Sequence, residues 1–176
     1  MLNKRMQDAL NDQIKYEMYS ANLYLAMSAY IENKGLKGTA KWLRVQYEEE
    51  TFHALKLYDY VKNRNGQVEL KSVDAPPAEF GSLLETFQKV LEHEQQVTAR
   101  INTLYKVAIE ENDFAAQIFL QWFVNEQVEE ESNASEVISK LELIGDRKAD
   151  LLYLDTELGT RVFVPPTSTA TAISQA

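Results

Sequence analysis

Residues 47–61, "YEEETFHALKLYDYV", combine an apolar helical pattern with a run of acids and one of the chain's two histidines. Apolar residues recur there at steps of three and four, as at Ala54 and Leu57, which is the spacing of one face of an α-helix. Glu50 falls on that face, and His53 lies one turn after it. The stretch therefore predicts a long helix whose inward face carries a carboxylate and an imidazole.

Three further segments of the chain have the same period and a similar length of about 30 residues. The four predicted helices span residues 4–33, 37–64, 82–111 and 113–144. An inward apolar stripe on each of four long helices is typical of a helix bundle.

The segments between these helices predict how the helices are connected. The breaks at 33–38 and 110–114 are short, so the first and second helices, and the third and fourth, should be antiparallel pairs. Residues 65–82 are too many for a hairpin turn and should run the length of the bundle, which makes the second and third helices parallel. Residues 147–158 predict a short fifth helix that ends at Gly159. The expected fold is an all-α four-helix bundle with a long crossover.

Composition limits the classes of protein and partner. The 176 residues are expected to form one domain over 1–164, followed by a flexible tail over 165–176. The net charge of -9 argues against nucleic acid or an anionic membrane as partner and favours cations. Because cysteine is absent, disulfides and thiol catalysis are excluded. No apolar run approaches the roughly 20 residues of a membrane span, and the N-terminus lacks a signal-like apolar core, so the predicted location is cytoplasmic.

Each predicted long helix carries one acidic residue near the midpoint of its apolar stripe. These residues are Glu17, Glu50, Glu94 and Glu130. In a bundle of equal helices they should meet at the same height. Carboxylates that meet in an apolar core repel one another and lose their hydration, which costs several kcal/mol each unless cations replace the water. The four helices together predict a metal site.

The ligand set favours a pair of first-row ions, especially iron. It is rich in carboxylates, with the imidazole of His53 and the amide of Gln127 beside them, and is too oxygen-rich for structural zinc. Di-iron bundles use a lone Glu from two helices and Glu-x-x-His from the other two. Here Glu50 and His53 form one such motif, while the fourth helix has Gln127 and Glu130 at that spacing. We predict one ion at Glu17, Glu50 and His53, and a more weakly held one at Glu50, Glu94 and Glu130.

Several residues near the predicted centre have more than one interpretation. Tyr24 could hydrogen-bond a ligand, donate an electron, or be an ordinary core tyrosine. His93 points about 100° away from Glu94 on the helix, which favours a surface or interface histidine. Trp122 is interpreted as a packing residue. Acidic runs are usually solvated, but some acids beside the centre could form a secondary cation site. These acids are Glu49, Glu126 and Glu129.

The sequence resembles the bacterial non-haem ferritins over nearly the whole chain. The matching features are Glu17 with Tyr24, "YEEETFHA" at 47–54, Glu94 and "QWFVNEQVEEE" at 121–131, with the long loop and the short fifth helix. The resemblance implies a ferritin-like fold, a two-iron ferroxidase centre at the residues predicted above, and a redox-assisting role for Tyr24. It also implies a third iron site formed by Glu49, Glu126, Glu129 and Glu130.

The resemblance also implies a function and an assembly. Members of that family form 24-subunit hollow shells that oxidise iron(II) with O₂ or peroxide and store iron(III) as a mineral. The chain is therefore expected to be an iron-storage ferroxidase and a homo-24-mer. Haem is not expected, because bacterioferritins have a haem-ligating methionine where this chain has Thr51.

Two alternatives from other classes stay open at the level of sequence. One is a di-metal oxidase or oxygenase that acts on an organic substrate, which would need an apolar pocket beside the metal site. The other is a helical interaction protein that holds no metal and whose acids lie on the surface.

Overall fold

The computed structural model describes residues 2–165, which contain five α-helices. Their bounds are α1 Lys4–Asn33, α2 Lys37–Asn63, α3 Leu83–Glu110, α4 Phe114–Ile144 and α5 Lys148–Leu158. The predicted all-α bundle with a short fifth helix is confirmed. None of these helices has an apolar stretch long enough to cross a bilayer. The tail predicted over 165–176 lies, after Pro165, outside the described residues.

Polar side chains cap the starts of three helices and account for the errors of one residue in the predicted starts of α3 and α4. The side chain of Asn3 accepts a hydrogen bond from the backbone of Met6 at the start of α1. Ser82 and Glu85 form a reciprocal capping box at α3, and the Asp113 side chain caps α4. The prediction counted Ser82 and Asp113 as helical, because apolar spacing does not separate a cap from the first turn.

Contacts between helix ends establish the directions of the helices. The backbone of Leu2, just before α1, donates to the carbonyl of Arg64, just after α2. Arg5 near the start of α1 forms an ion pair of 2.5 Å with Glu110 at the end of α3. Since α1 begins where both α2 and α3 end, it is antiparallel to both, and α2 and α3 are parallel as predicted.

The crossover between α2 and α3 runs along α1 from one end of the bundle to the other. Near its start, the Asn11 amide donates to the carbonyl of Gln67 and accepts from the backbone of Glu69, at 3.0 and 3.1 Å. Near its end, the ring of Phe80 packs against Tyr30 with 5.5 Å between centroids. Side chains of α1 thus satisfy backbone groups that a strand partner would otherwise satisfy.

A polar layer divides the apolar core into two clusters. Along α1, Ile14 belongs to one cluster and Leu23 to the other, and buried Glu17 lies between them. Glu94 takes the equivalent place on α3. The bundle therefore sets its mid-helix acids between two hydrophobic blocks, where little water can reach them.

Helix α5 docks against the start of α2 through one aspartate. The Asp155 carboxylate accepts hydrogen bonds from the backbone of Gly38 and from the backbone and hydroxyl of Thr39, at 3.1, 2.8 and 2.8 Å. The contact is so close that a Cβ on Gly38 would lie 1.7 Å from the backbone oxygen of Asp155. Only glycine at this position allows α5 to reach α2.

Gly38→Ala is therefore expected to lower the free energy of unfolding by about 2 kcal/mol, because the added methyl group overpacks a backbone contact. Urea denaturation measures the change. Lys37→Ala, an exposed change one residue earlier, is the matched control and should stay within about 0.5 kcal/mol of wild type. Equal stability of Gly38→Ala and wild type would show that the docking of α5 is not as described.

Candidate metal centre

Glu17 from α1 and Glu50 and His53 from α2 meet in the polar layer. One ligand atom of each residue lies within 4.8 Å of the corresponding atoms of the other two. All three are buried, with exposed fractions of 1%, 1% and 2%. The structure thus brings together the three residues predicted for the first ion, in a geometry that could hold a metal.

The Glu50 carboxylate finds no hydrogen-bond donor in the described part of the chain, although both of its oxygens are buried. Glu17 accepts one bond of 2.8 Å from the amide of Gln13, and its second oxygen has no donor there either. Burial, with the nearby charge of Glu94, raises the pKa of Glu50 well above its usual range, and burial also raises the pKa of Glu17. These acids need either protons or a cation between them.

Glu94 and Glu130, predicted for the second ion, are buried, and their carboxylates accept hydrogen bonds from neighbouring side chains. The Tyr24 hydroxyl donates to Glu94, and the Gln127 amide donates to the same carboxylate at 3.1 Å. The amide of Gln46 donates to Glu130 at 2.8 Å. Neither acid joins the compact group of three that the described residues form. The second ion position is therefore less fully assembled than the first.

Tyr24 and Gln127 thus have defined partners in the structure. Tyr24 is fully buried, and burial with the charge of Glu94 raises its pKa, which keeps the hydroxyl protonated as a donor. This is one of the roles considered from sequence, while its redox role stays a prediction. Gln127 directs its nitrogen, not its oxygen, to Glu94, so its role as a metal ligand also stays a prediction.

Aromatic rings enclose His53. The centroids of Trp122, Phe123 and Phe52 lie 5.3, 5.9 and 6.3 Å from that of the imidazole. Burial, with a contribution from the charge of Lys56, lowers the pKa of His53 to about 3. The imidazole is therefore neutral at physiological pH and has a lone pair available for a metal. Trp122 packs as expected, but it packs directly against a predicted ligand.

Three more acids predicted from sequence surround one cavity beside the centre. Glu49, Glu126 and Glu129 line a space of about 480 Å³ that also touches His53. A His53 nitrogen lies 3.9 Å from Glu126. Burial raises the pKa of both Glu49 and Glu126 to about 7, and neighbouring acids add to the effect. Arg161 reaches the same cavity and pairs with Glu49 at 2.6 Å.

The acids of the run at 48–50 differ in environment, as the helical period predicts. Glu48 is exposed, Glu49 is half-buried beside the cavity, and Glu50 is buried in the centre. Three successive residues on a helix point about 100° apart, so three identical side chains meet three environments.

His93 lies next to the centre but faces α1 instead of the ligands. It is half-buried, its ring nitrogen lies 2.8 Å from the Ser20 hydroxyl, and its centroid lies 6.0 Å from those of Tyr19 and Tyr24. Burial, with the charge of Arg100, lowers its pKa to about 4. The structure places it more deeply than a surface histidine, and outside the group that could hold a metal.

Three residues that hydrogen-bond the predicted carboxylate ligands were missed from sequence. They are Gln13, Gln46 and Arg161. A signal existed for the two glutamines, because each stands one turn before an inward glutamate and interrupts the same apolar stripe. No local sequence pattern indicates the role of Arg161, because its partner Glu49 is 112 positions away in sequence.

The pKa shifts predict how pH affects the metal-free fold. Burial raises the pKa of Glu94 from 4.5 to about 8, so its contribution to stability is present below pH 4.5 and is lost as pH rises through 8. His53 acts in the opposite sense: its contribution is present above pH 6.5 and is lost as pH falls toward 3. In the presence of a chelator, the free energy of unfolding should fall by about 2–4 kcal/mol from pH 5 to pH 8.

Urea denaturation at each pH measures this profile, and Glu94→Gln should flatten its alkaline side because the amide cannot ionise. Bound divalent metal should remove the same decline, since a cation stabilises the ionised carboxylates. A metal-free wild-type profile that rises between pH 5 and pH 8 would contradict the described burial of these acids.

Fold and site together define a four-helix bundle with a buried, carboxylate-rich group of residues that could hold a metal. The model of the Ferritin-like domain family matches residues 7–144, and the chain belongs to the ferritin family. It is 42% identical over 163 residues to the bacterial non-heme ferritin of Staphylococcus aureus strain MRSA252, covering 93% of this chain and 98% of that protein. It is 41% identical over 161 residues to the bacterial non-heme ferritin of Bacteroides fragilis strain 638R, covering 92% and 100%.

Solved structures agree with this assignment. An engineered closed form of the Archaeoglobus fulgidus ferritin superposes with a TM-score of 0.92 at 49% identity, covering 93% of this chain and 100% of that one. An open-pore ferritin from the same hyperthermophilic archaeon gives 0.91 at 49% identity, covering 92% and 100%. The resemblance predicted from the sequence motifs is confirmed.

Proposed function

We propose that the protein stores iron and oxidises iron(II) at a two-metal centre within each subunit. The observation that supports this most strongly is the Glu50 carboxylate, whose two buried oxygens have no donor among the described residues and lie beside Glu17 and His53. A buried carboxylate in this state requires a cation or a proton. Membership of the ferritin family and a set of carboxylates with one imidazole both favour iron.

The first iron(II) ion is proposed to bind Glu17, Glu50 and His53. Its arrival displaces protons from acids whose pKa burial raises, while neutral His53 needs no deprotonation. The second ion is proposed to use Glu50, Glu94 and Glu130. Glu94 must share its charge between that ion and the bonds from Tyr24 and Gln127, which makes the second ion the weaker one.

The number of electrons that two iron(II) ions can release determines the proposed oxidation step. Two iron(II) ions release two electrons, which with two protons convert O₂ to hydrogen peroxide, or convert peroxide to two molecules of water. Tyr24 lies one hydrogen bond from the Glu94 carboxylate and is the proposed redox-assisting residue. Iron(III) is proposed to leave through the acids that line the adjacent cavity, which are Glu49, Glu126 and Glu129. The product is proposed to be stored as a mineral inside a hollow cytoplasmic homo-24-mer.

The surroundings of the centre weigh against both alternatives. An oxidase of organic substrates would need an apolar pocket, whereas the cavity that reaches His53 has four charged residues among its aromatic and aliphatic lining, which are Glu49, Glu126, Glu129 and Arg161. A metal-free interaction protein would keep its acids on the surface, whereas four of them are 3% exposed or less. Both features favour a cation as the species that the protein handles.

Aerobic iron loading followed by gel filtration and electron microscopy tests the proposal. The expected result is a large hollow particle that acquires an electron-dense core, and anaerobic titration should find about two tightly bound iron(II) ions per chain. Glu48→Gln serves as an exposed control within the same acidic run. A monomer or dimer without a core would contradict the storage function.

A further inference from the structure

The segment that follows α5 lines the cavity beside the candidate metal centre. The docking of Asp155 onto α2 fixes α5, and the Lys41 ammonium donates to the carbonyl of Gly159 at 2.8 Å. Three turns further along α2, the ring of Phe163 packs against Phe52 with 5.8 Å between centroids. Residues 160–163 are thereby held along α2, beside the cavity that reaches His53.

The guanidinium of Arg161 lies in the cavity lined by Glu49, Glu126 and Glu129, which together with Glu130 are called the outer acids. One of its nitrogens is 2.6 Å from a Glu49 oxygen, and its central carbon lies 4.4 Å from the centroid of the Trp42 ring. Its other terminal nitrogen is buried and has no hydrogen-bond acceptor among residues 2–165. The side chain is 19% exposed, so solvent screens this charge only in part.

The charge of Arg161 acts on more than its direct partner. Arg161 lines the same cavity as Glu49, Glu126 and Glu129, which are three of the four acids at the outer position formed by Glu49, Glu126, Glu129 and Glu130. Arginine remains protonated under all ordinary conditions. A guanidinium can bind a carboxylate through two nitrogens, and here only one nitrogen contacts Glu49. A permanent cation therefore already occupies the acidic cluster, in an arrangement that does not saturate its hydrogen bonds.

We propose that Arg161 is a built-in counter-ion that competes with iron for the outer acids and is displaced along the Trp42 face when iron arrives. This inference rests on the proposed function and concerns the control of its outer position. Competition keeps an ion at Glu49, Glu126, Glu129 and Glu130 weakly bound, so that position passes iron on instead of retaining it. The same charge stabilises the acids of the cluster while no metal is bound.

Anaerobic calorimetric titration with iron(II) compares wild type with Arg161→Gln, Arg161→Lys and Arg147→Gln. Arg161→Gln removes the competing charge and should leave the ion at Glu17, Glu50 and His53 unchanged while binding a third ion about tenfold more tightly. Arg161→Lys retains the charge and should stay closer to wild type. Arg147→Gln removes an exposed arginine at the start of α5 and should change nothing.

The outcomes separate this inference from the proposed function. Absence of two tight ions in wild type would reject the two-metal centre itself. Two tight ions together with an unchanged or weakened third ion in Arg161→Gln would reject the inference and leave Arg161 as a structural anchor.

A second measurement follows Arg161 without changing it. The chain has two tryptophans, so Trp122→Phe leaves Trp42 as the only indole. Titration with redox-inert zinc(II) should change Trp42 emission at the third equivalent and not at the first two, because the guanidinium then leaves its place over the ring. A third ion that binds with no change in emission would overturn the proposed displacement.

Discussion

Glu50→Gln is expected to slow iron(II) oxidation by about 100-fold or more, because both proposed ion positions would lose the carboxylate that is proposed to join them. The amide has almost the same shape as the carboxylate, but it has no charge and a single acceptor oxygen. Rapid-mixing absorbance of iron(III) formation under O₂ measures the rate. Anaerobic titration should show that the tight binding of both ions is weakened together.

Controls for this change lie within the same run of the sequence. Glu48→Gln alters an exposed acid and should oxidise iron at the wild-type rate, while Glu49→Gln should alter only later turnovers through the outer cavity. Without metal, Glu50→Gln should be more stable than wild type by about 1–3 kcal/mol, since wild type must either protonate this buried carboxylate or leave its charge without a partner. A wild-type oxidation rate in Glu50→Gln would exclude Glu50 as the bridging ligand.

Glu130→Gln is expected to separate the two ion positions. The first ion is proposed to depend on Glu17, Glu50 and His53 and should still bind tightly, whereas the second should be lost. Since reduction of O₂ to peroxide takes two electrons, one remaining iron should oxidise about 10- to 100-fold more slowly. Anaerobic titration gives the number of ions, and absorbance under O₂ gives the rate.

Glu142→Gln is the matched control, because it alters an exposed acid near the end of α4, the helix that also carries Glu130. It should keep both ions and the wild-type rate. Two tight ions with full activity in Glu130→Gln would place the second ion elsewhere, and loss of both ions would mean that the two positions do not bind independently.

The fold and the inner acids were predictable because they follow from local periodicity. An apolar step of three and four along each helix gives its length and its inward face. A glutamate on that face, as at Glu17 or Glu94, is conspicuous because an unpaired buried carboxylate is costly. The equal lengths of the helices then bring the acids to one height, which the two separate apolar clusters display.

Features that depend on contacts between distant segments were not predictable. The bond from Gln46 to Glu130 and the ion pair of Arg161 with Glu49 join positions 84 and 112 residues apart. The position of Arg161 depends on Asp155 capping α2, which in turn depends on the absence of a side chain at Gly38. Helical spacing also does not tell whether Gln127 presents its oxygen or its nitrogen to Glu94, because that choice depends on the neighbouring donors and acceptors.

Anomalous diffraction at the iron edge, from crystals soaked anaerobically in iron(II), tests the central claim most directly. The expected result is two peaks in the polar layer of each subunit. One should lie at bonding distance from Glu17, Glu50 and His53, and the other at bonding distance from Glu50, Glu94 and Glu130. Peaks confined to surface acids, with Glu50 uncoordinated, would contradict the two-metal centre.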